Sequence, residues 1–268
     1  MALSLQGNSS LSPALRYWEL LHVLVVRNLK VRYRGSIFGV YWSLLSPLMM
    51  TGVYAAIFGT KFASYYGNSI LNYVLAAFVG MVAINFFDAA TSQALISIVE
   101  NGPLLNKISL PISIFPVSMV SANLFQFAMA VLPLLALITL LTSKSLANVL
   151  ALLVPLLGLT LVCTGIGFLA SALYVFFRDF HYFYELVKSV IWISTPIFYP
   201  ADIVPAQVKH FLALNPLSVI IESIRQIVLS GLPPNISSIG SALLSGMLTV
   251  ALGWLCFQGW RNQFIDLL

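Results

Sequence analysis

The chain has 268 residues, of which 60% are hydrophobic and only 8% charged, with a net charge of +5 and a mean hydropathy of +0.96. A water-soluble domain carries about 25% charged residues, so this composition excludes a soluble enzyme or binding module and is that of an integral membrane protein. The two cysteines, Cys163 and Cys256, stand in apolar runs and read as small packing residues rather than a disulfide or metal pair.

Residues 15–35 read as a helix ahead of the first long apolar run. Arg16, Glu19, Arg27, Lys30 and Arg34 fall within an arc of roughly 80° on a helical wheel. Trp18, Leu21, Val25 and Leu29 lie opposite, and Arg32 breaks the pattern. The pattern fits an amphipathic interfacial helix, with its cations toward lipid phosphate or toward a partner subunit. No cleavable leader is expected, because the first apolar run follows a basic stretch and is too long for one.

A membrane helix needs about 20 apolar residues. Six spans are predicted, over residues 37–59, 71–90, 112–141, 147–177, 183–199 and 241–260. The third and fourth exceed one crossing, and Pro133 and Pro155 are their expected kink sites. Residues 1–36 are then an N-terminal segment, and residues 37–268 form one membrane domain.

With the N-terminus inside, nine of the 13 cations (Arg16, Arg27, Lys30, Arg32, Arg34, Lys107, Arg178, Lys188 and Arg261) fall on the cytoplasmic side. Lys61, Lys144, Lys209 and Arg225 fall outside. The excess predicts both termini in the cytoplasm.

Three connecting segments carry signals of their own. In residues 100–111, Gly102-Pro103 and Pro111 bracket a short turn of helix that fits either a plain loop or an element seated in a partner's groove. Residues 178–188 mix interface aromatics with Glu185 and Lys188, spaced to pair on one helical face. Residues 200–234 are too rich in proline to span. Segments 203–216 and 217–232 are each expected to form a short external helix, either a lid over a pathway or a surface connector.

Three motif groups, taken together, resemble the membrane subunit of ABC-2 type exporters of lipid-linked polysaccharide, a group covering O-antigen, capsule and teichoic-acid systems. The first is Arg27-Asn28-Leu29-Lys30-Val31-Arg32-Tyr33-Arg34-Gly35-Ser36 with Gly39 and Trp42-Ser43-Leu44-Leu45-Ser46-Pro47-Leu48. The second is Asn101, Leu104-Leu105, Lys107, Pro111 and Phe115-Pro116. The third is Arg178-Asp179-Phe180, Pro196-Ile197-Phe198-Tyr199-Pro200, Val204-Pro205, Asn215-Pro216 and Arg225. The chain departs from the family where many members carry charges after the first cytoplasmic lysine, since Leu110-Pro111-Ile112-Ser113 stands there.

The resemblance implies an all-α fold of six transmembrane helices, with two short external re-entrant or gate helices between spans five and six. It implies a permease that is not itself an enzyme, sitting in a bacterial inner membrane. Two copies would pair with two copies of an ABC ATPase that binds ATP and Mg. This chain would hold no cofactor, consistent with its lack of a Gly-x-x-x-x-Gly-Lys-Ser/Thr phosphate loop. Nucleic acid is not an expected partner. Glu100, Asn101, Leu104, Leu105, Lys107, Arg178 and Asp179 are the implied ATPase-coupling residues. Pro205, Asn215, Pro216, Glu222 and Arg225 are the implied external gate.

The cargo is expected to slide over aromatic faces, either lining a path or simply packing. The candidates are Tyr41, Trp42, Tyr54 and Phe58 on span one, and Trp192, Phe198 and Tyr199 on span five. Arg27, Lys30, Arg32 and Arg34 are candidates for the phosphate of the lipid carrier or for anionic membrane lipid. A membrane enzyme is disfavoured because His22, His181 and His210 are scattered and Asp88 and Asp179 have no evident partner in their layer. An ion-coupled transporter is disfavoured because the interior polar groups are mainly Asn85, Asn123 and Gln126. The surviving alternative is an ABC-2 type exporter of a drug or small lipid.

Overall fold

The computed structural model describes residues 12–105, 107, 110–205, 207, 215–230 and 235–267. The described residues contain helices and turns and no strand. This is the outcome that an apolar chain in lipid requires, because each helix satisfies its own backbone polar groups.

In chain order the helices are α1 (Pro13–Arg32), α2 (Trp42–Phe62), α3 (Ile70–Glu100), the short α4 (Gly102–Leu105), α5 (Ile114–Ala130), α6 (Leu132–Ser143), α7 (Leu146–Ala151), α8 (Leu153–Phe176), α9 (Phe180–Ser194), α10 (Pro216–Leu229), α11 (Ile236–Trp260) and the terminal turn α12 (Phe264–Leu267). Polar caps start several of them. Ser12 accepts from the Leu15 amide ahead of α1, Ser69 from Asn72 ahead of α3, Asn215 from Leu217 ahead of α10 and Asn235 from Ser237 ahead of α11. The α2–α3 turn runs through Gly67 and Asn68, both left-handed (φ 67° and 56°).

Four helical runs are long and apolar enough to cross a membrane: Gly39–Tyr66, Ile70–Glu100, Leu146–Phe176 and Ile236–Gln263. The pair α5 and α6, bent by 46°, makes a fifth. The bend falls just before Pro133, the expected kink, because proline cannot continue the preceding helix's hydrogen bonds. The fifth predicted span, residues 183–199, differs. Its helix α9 has 15 residues, about 22 Å of rise against a hydrocarbon core of about 30 Å. It stops at Thr195-Pro196, where a non-helical stretch begins.

Helix α3 is the central element. Its 31 residues pack against α2, α5, α8 and α10. Helices α8 and α11 form the tightest pair, backbone to backbone. A methyl group added at Gly158 would stand 2.6 Å from the Ala242 carbonyl oxygen, and one at Gly246 2.5 Å from the Gly158 oxygen. Gly165 and Gly253 repeat the contact seven residues further along each helix.

The helix ends define two faces. Leu21 and Leu24 of α1 pack on Ile114 and Phe115 at the start of α5, beside Leu104 and Leu105 of α4. Phe264 packs on Phe176 at the end of α8, with ring centroids 5.9 Å apart. Both described chain ends, residues 100–105, residues 110–113 and residues 177–179 therefore lie at one end of the bundle, called the base below.

The expectation about α1 is revised, and that about the external helices falls partly outside the described residues. Helix α1 does not lie alone on an interface. It runs alongside α5 in the same direction, with Asn28 bonded to Ser118 (3.3 Å) and Arg32 to Asn123 (3.0 Å). Its contact face is Tyr17, Leu21, Leu24, Asn28 and Arg32, whereas Trp18, one of the predicted apolar set, is exposed. Burial raises the Tyr17 phenol's pKa, partly offset by the Ser113 hydroxyl. Of the external pair, the second helix is α10, and most of the first (residues 206 and 208–214) lies outside the described residues.

Candidate functional site

The polar groups inside the bundle converge on two grooves that share a wall. One, of about 450 Å³, lies between α3 and α9 and is lined by Asn85, Asp88, Glu185, Lys188 and Trp192, among others. The other, of about 250 Å³, lies between α2, α3 and α5 and is lined by Ser43, Ser46, Asn85, Asp88, Asn123 and Gln126, with apolar neighbours. Asn85 and Asp88 face both. They sit near the middle of α3, with Asp88 about 18 Å of helix from the base end.

A charge cluster holds this level. Lys188 Nζ lies 2.7 Å from Asp88 Oδ1 and 2.8 Å from Glu185 Oε1, and donates to Ser92 Oγ at 2.6 Å. The Glu185–Lys188 pairing expected from spacing is present. Two other expectations are corrected. Asp88 has a partner in its own layer, and Lys188 is not a loop cation but sits in mid-α9 against the centre of α3. The signal was present in the sequence, since one acid and one base, each inside an apolar run, are costly unless paired.

Nearer the base, Arg32 enters the same wall. Its guanidinium donates to Asn123 Oδ1 (3.0 Å), Gln126 Oε1 (2.7 Å) and the Gln93 side-chain oxygen. All three partners are neutral amides, so its positive charge has no carboxylate beside it among the described residues. Asn123 and Gln126 carry the contact to the groove lining. Arg27 bonds instead to Asn101, and Lys30 and Arg34 are exposed.

Away from the base, the grooves meet a ladder of aromatic rings. Trp192 lies 5.6 Å from Phe198, Phe198 stacks on Tyr54 at 3.5 Å, Tyr54 on Phe58 at 6.0 Å and Phe58 on Phe62 at 5.7 Å. Four sequence candidates, Tyr54, Phe58, Trp192 and Phe198, thus join in one row. Tyr199 is not in it, because its hydroxyl donates to the Ile193 and Ser194 carbonyls at the end of α9. Tyr41 and Trp42 stand exposed at the base end of α2, where Trp42 meets Phe38 edge-on.

The predicted coupling residues gather at the base. Asn101 is buried, accepting from Arg27 at 2.8 Å and donating to the Ser97 carbonyl at 2.7 Å. Leu104 and Leu105 pack in the α1–α5 cluster, while Glu100, Lys107, Arg178 and Asp179 are exposed. Arg178 lies over the Tyr174 ring, 5.6 Å from its centroid.

At the far end the predicted gate residues divide. Arg225 is buried and donates to the Ala76 carbonyl (2.9 Å) and the Ile197 carbonyl (2.6 Å). No ion pair joins it to Glu222, although both line one shallow cavity with Tyr66 and Asn72. Asn215 Nδ2 donates to Thr195 Oγ1 at 2.9 Å, and Pro216 opens α10. Pro205 lies in the stretch before the undescribed residues. Among the described residues no group of His, Cys, Asp and Glu could hold a metal ion.

An apolar helical bundle with a polar groove at mid-depth, and an aromatic row continuing it, defines a membrane transport protein. The family model for ABC-2 type transporters matches residues 19–229, and the chain belongs to that family. Its relatives include two Klebsiella pneumoniae proteins named O-antigen export system permease protein RfbA. They are 27% and 26% identical over 252 and 253 residues, covering 94% of this chain and 95% of theirs. A Myxococcus xanthus protein of the same name is 27% identical over 258 residues, covering 94% and 96%.

Proposed function

We propose that this chain is the permease subunit of an ATP-driven exporter that moves lipid-linked polysaccharide, such as O-antigen, across a bacterial inner membrane. The observation that carries the reading is end-to-end similarity to three O-antigen export permeases, joined to a groove whose lining suits a sugar polymer. Hydroxyls need hydrogen-bonding partners at mid-membrane depth, and Asn85, Asp88, Glu185 and Gln126 offer them. The apolar CH faces of sugar rings need flat surfaces that release easily, and the Trp192–Phe198–Tyr54–Phe58 row offers those.

In this reading the functional unit is a homodimer with two ABC ATPase subunits. The exposed apolar side of α9 (Phe183, Leu186, Val190, Ile193) and that of α2 (Met49, Val53, Ile57) face the second copy or lipid. Helix α9, extended by residues 195–199, completes a sixth crossing. The base faces the cytoplasm with both termini, and Glu100, Asn101, Leu104, Leu105, Lys107, Arg178 and Asp179 form the seat for the ATPase. Pro205, Asn215, Pro216, Glu222 and Arg225 form the outer gate. Arg32, charged yet held only by amides, takes the carrier phosphate, with Arg27, Lys30 and Arg34 attracting it from the membrane surface. ATP and Mg act in the partner, whose closure moves the base.

The test is made in cells lacking this chain. Lipid-linked glycan is extracted and its side of the inner membrane determined. Full-length polymer trapped on the cytoplasmic side is expected. Normal surface glycan with no trapped intermediate would overturn the reading in favour of a drug or small-lipid exporter.

A further inference from the structure

We propose that the Asp88–Lys188–Glu185 cluster, with Asn85 and Trp192, is a sugar-binding subsite selective for uncharged glycan units over uronic-acid units. The inference rests on the exporter reading above and adds the chemistry of what passes this level of the groove.

Lys188 cannot serve an incoming anion. Its ammonium has three protons, and three acceptors, Asp88, Glu185 and Ser92, lie within 2.8 Å of Nζ. Its side chain is 11% exposed, whereas those of Asp88 and Glu185 are 56% and 49% exposed. The surface the cluster presents to the groove is therefore carboxylate. Neither acid has another hydrogen-bond or ion-pair partner among the described residues, which leaves acceptor capacity on both.

One ammonium against two carboxylates leaves one excess negative charge. In a groove with low-dielectric walls that charge acts more strongly than it would in water. Hydroxyl groups donate to carboxylates in charge-assisted bonds, while a carboxylate on the cargo would be repelled. Asn85, half-buried and without a partner among the described residues, adds a donor and an acceptor on the same wall. Trp192 supplies a flat apolar face beside them. The cation that could offset the repulsion, Arg32, lines neither groove; it sits behind Asn123 and Gln126, towards the base, where it is bound to them and to Gln93. The two charges are thus separated along the path, with the anionic carrier end suited to Arg32 and neutral sugars suited to the carboxylates.

The experiment uses the complete exporter, this chain with its ATPase, in nanodiscs. Calorimetry compares maltohexaose with a hexameric oligogalacturonate at low salt. Maltohexaose is expected to bind at least about tenfold more tightly, and high salt should shrink the ratio by screening. Glu185→Gln removes the excess charge while Lys188 keeps Asp88, and should bring the ratio close to one. Equal or tighter oligogalacturonate binding by the unaltered complex overturns the proposal. So does failure to bind either hexamer, or an unchanged ratio in an assembled Glu185→Gln complex. If Glu185→Gln does not assemble, the unaltered complex's ratio and its response to salt decide alone. The cell experiment separates the two claims. Trapped glycan together with a preference for the anionic hexamer would sink only the subsite, whereas absence of trapping would sink the exporter reading beneath it.

Discussion

The guanidinium of Arg27 donates to the Asn101 side-chain oxygen at 2.8 Å, and the Asn101 amide donates on to the Ser97 carbonyl at 2.7 Å. The bond ties α1 to the residue where α3 ends and α4 begins. A push on α4 by an ATPase would therefore reach α1 directly. Asn101→Ala removes both bonds. Each is a net contribution of about 1 kcal/mol, so the complex should still assemble. Export should fall by about fivefold while basal ATP hydrolysis in the purified complex persists. Export and hydrolysis falling together would mean that Asn101 only holds the fold.

Arg32 gives a sharper case, because its three partners are neutral amides. Arg32→Gln can still bond to one or two of them but removes the charge, whereas Arg32→Lys keeps the charge and loses the planar fork. If the carrier phosphate binds here, Arg32→Gln should cut export by at least about tenfold, with Arg32→Lys between it and the unaltered chain. The readout is surface glycan per assembled complex. Equal export by both variants at normal protein level would remove the phosphate role. A loss of assembly in both would make Arg32 a strut between α1, α3 and α5.

Much of this architecture was legible in the sequence, and the exceptions share a cause. Apolar run lengths located the four long crossings and the bent fifth, and Pro133 marked the bend, since these are properties of single segments. Tyr54, Phe58, Trp192 and Phe198 are four of the seven aromatic candidates, which stand out in two separate runs, and Tyr41, Trp42 and Tyr199 lie outside the row. The pairing of Lys188 with Asp88 was not found. It joins residues 100 positions apart in two different helices, and α3, apolar nearly all round, carries little amphipathic signal to say which side of it faces α9. In α1 the expected apolar set holds at Leu21 and Val25, which pack in the cluster at the start of α5, and fails at Trp18, which faces outward. Arg32, which broke the charged arc, did so because it belongs to the buried face.

The α8–α11 contact predicts where the fold tolerates no side chain. A Cβ at Gly165 meets backbone atoms of Thr249 and Val250, well inside normal contact, and backbone cannot swing away as a side-chain tip can. Gly165→Leu should destabilise the subunit by about 3 kcal/mol or more and lower the yield of folded protein. Gly240, in the same helix pair but with open space at its Cβ, is the control, and Gly240→Leu should leave thermal unfolding within a degree or so of the unaltered chain. Comparable melting of the two variants would show that α8 and α11 are not locked at Gly165.

Arg225 makes the last prediction, at the end opposite the base. Its Nε and Nη2 donate to carbonyls of Ala76 in α3 and Ile197 in the non-helical stretch after α9. Tyr73 holds the next carbonyl, that of Phe198, at 3.0 Å, and Asn215 holds the Thr195 hydroxyl. Residues 195–198 are thus pinned from two helices, and Phe198 is the ring that stacks on Tyr54. Arg225→Ala leaves the Ile197 carbonyl without a donor, a cost of about 1 to 3 kcal/mol, and takes from the Ala76 carbonyl the second of its two bonds, the first being made within α3. Arg225→Lys can reach one of them. Amide hydrogen exchange of residues 195–199 should rise strongly in Arg225→Ala and modestly in Arg225→Lys, with helix α3 little changed. Exchange confined to its unaltered level in Arg225→Ala would mean that Tyr73 and Asn215 suffice to hold the stretch, and that Arg225 does not control the position of Phe198.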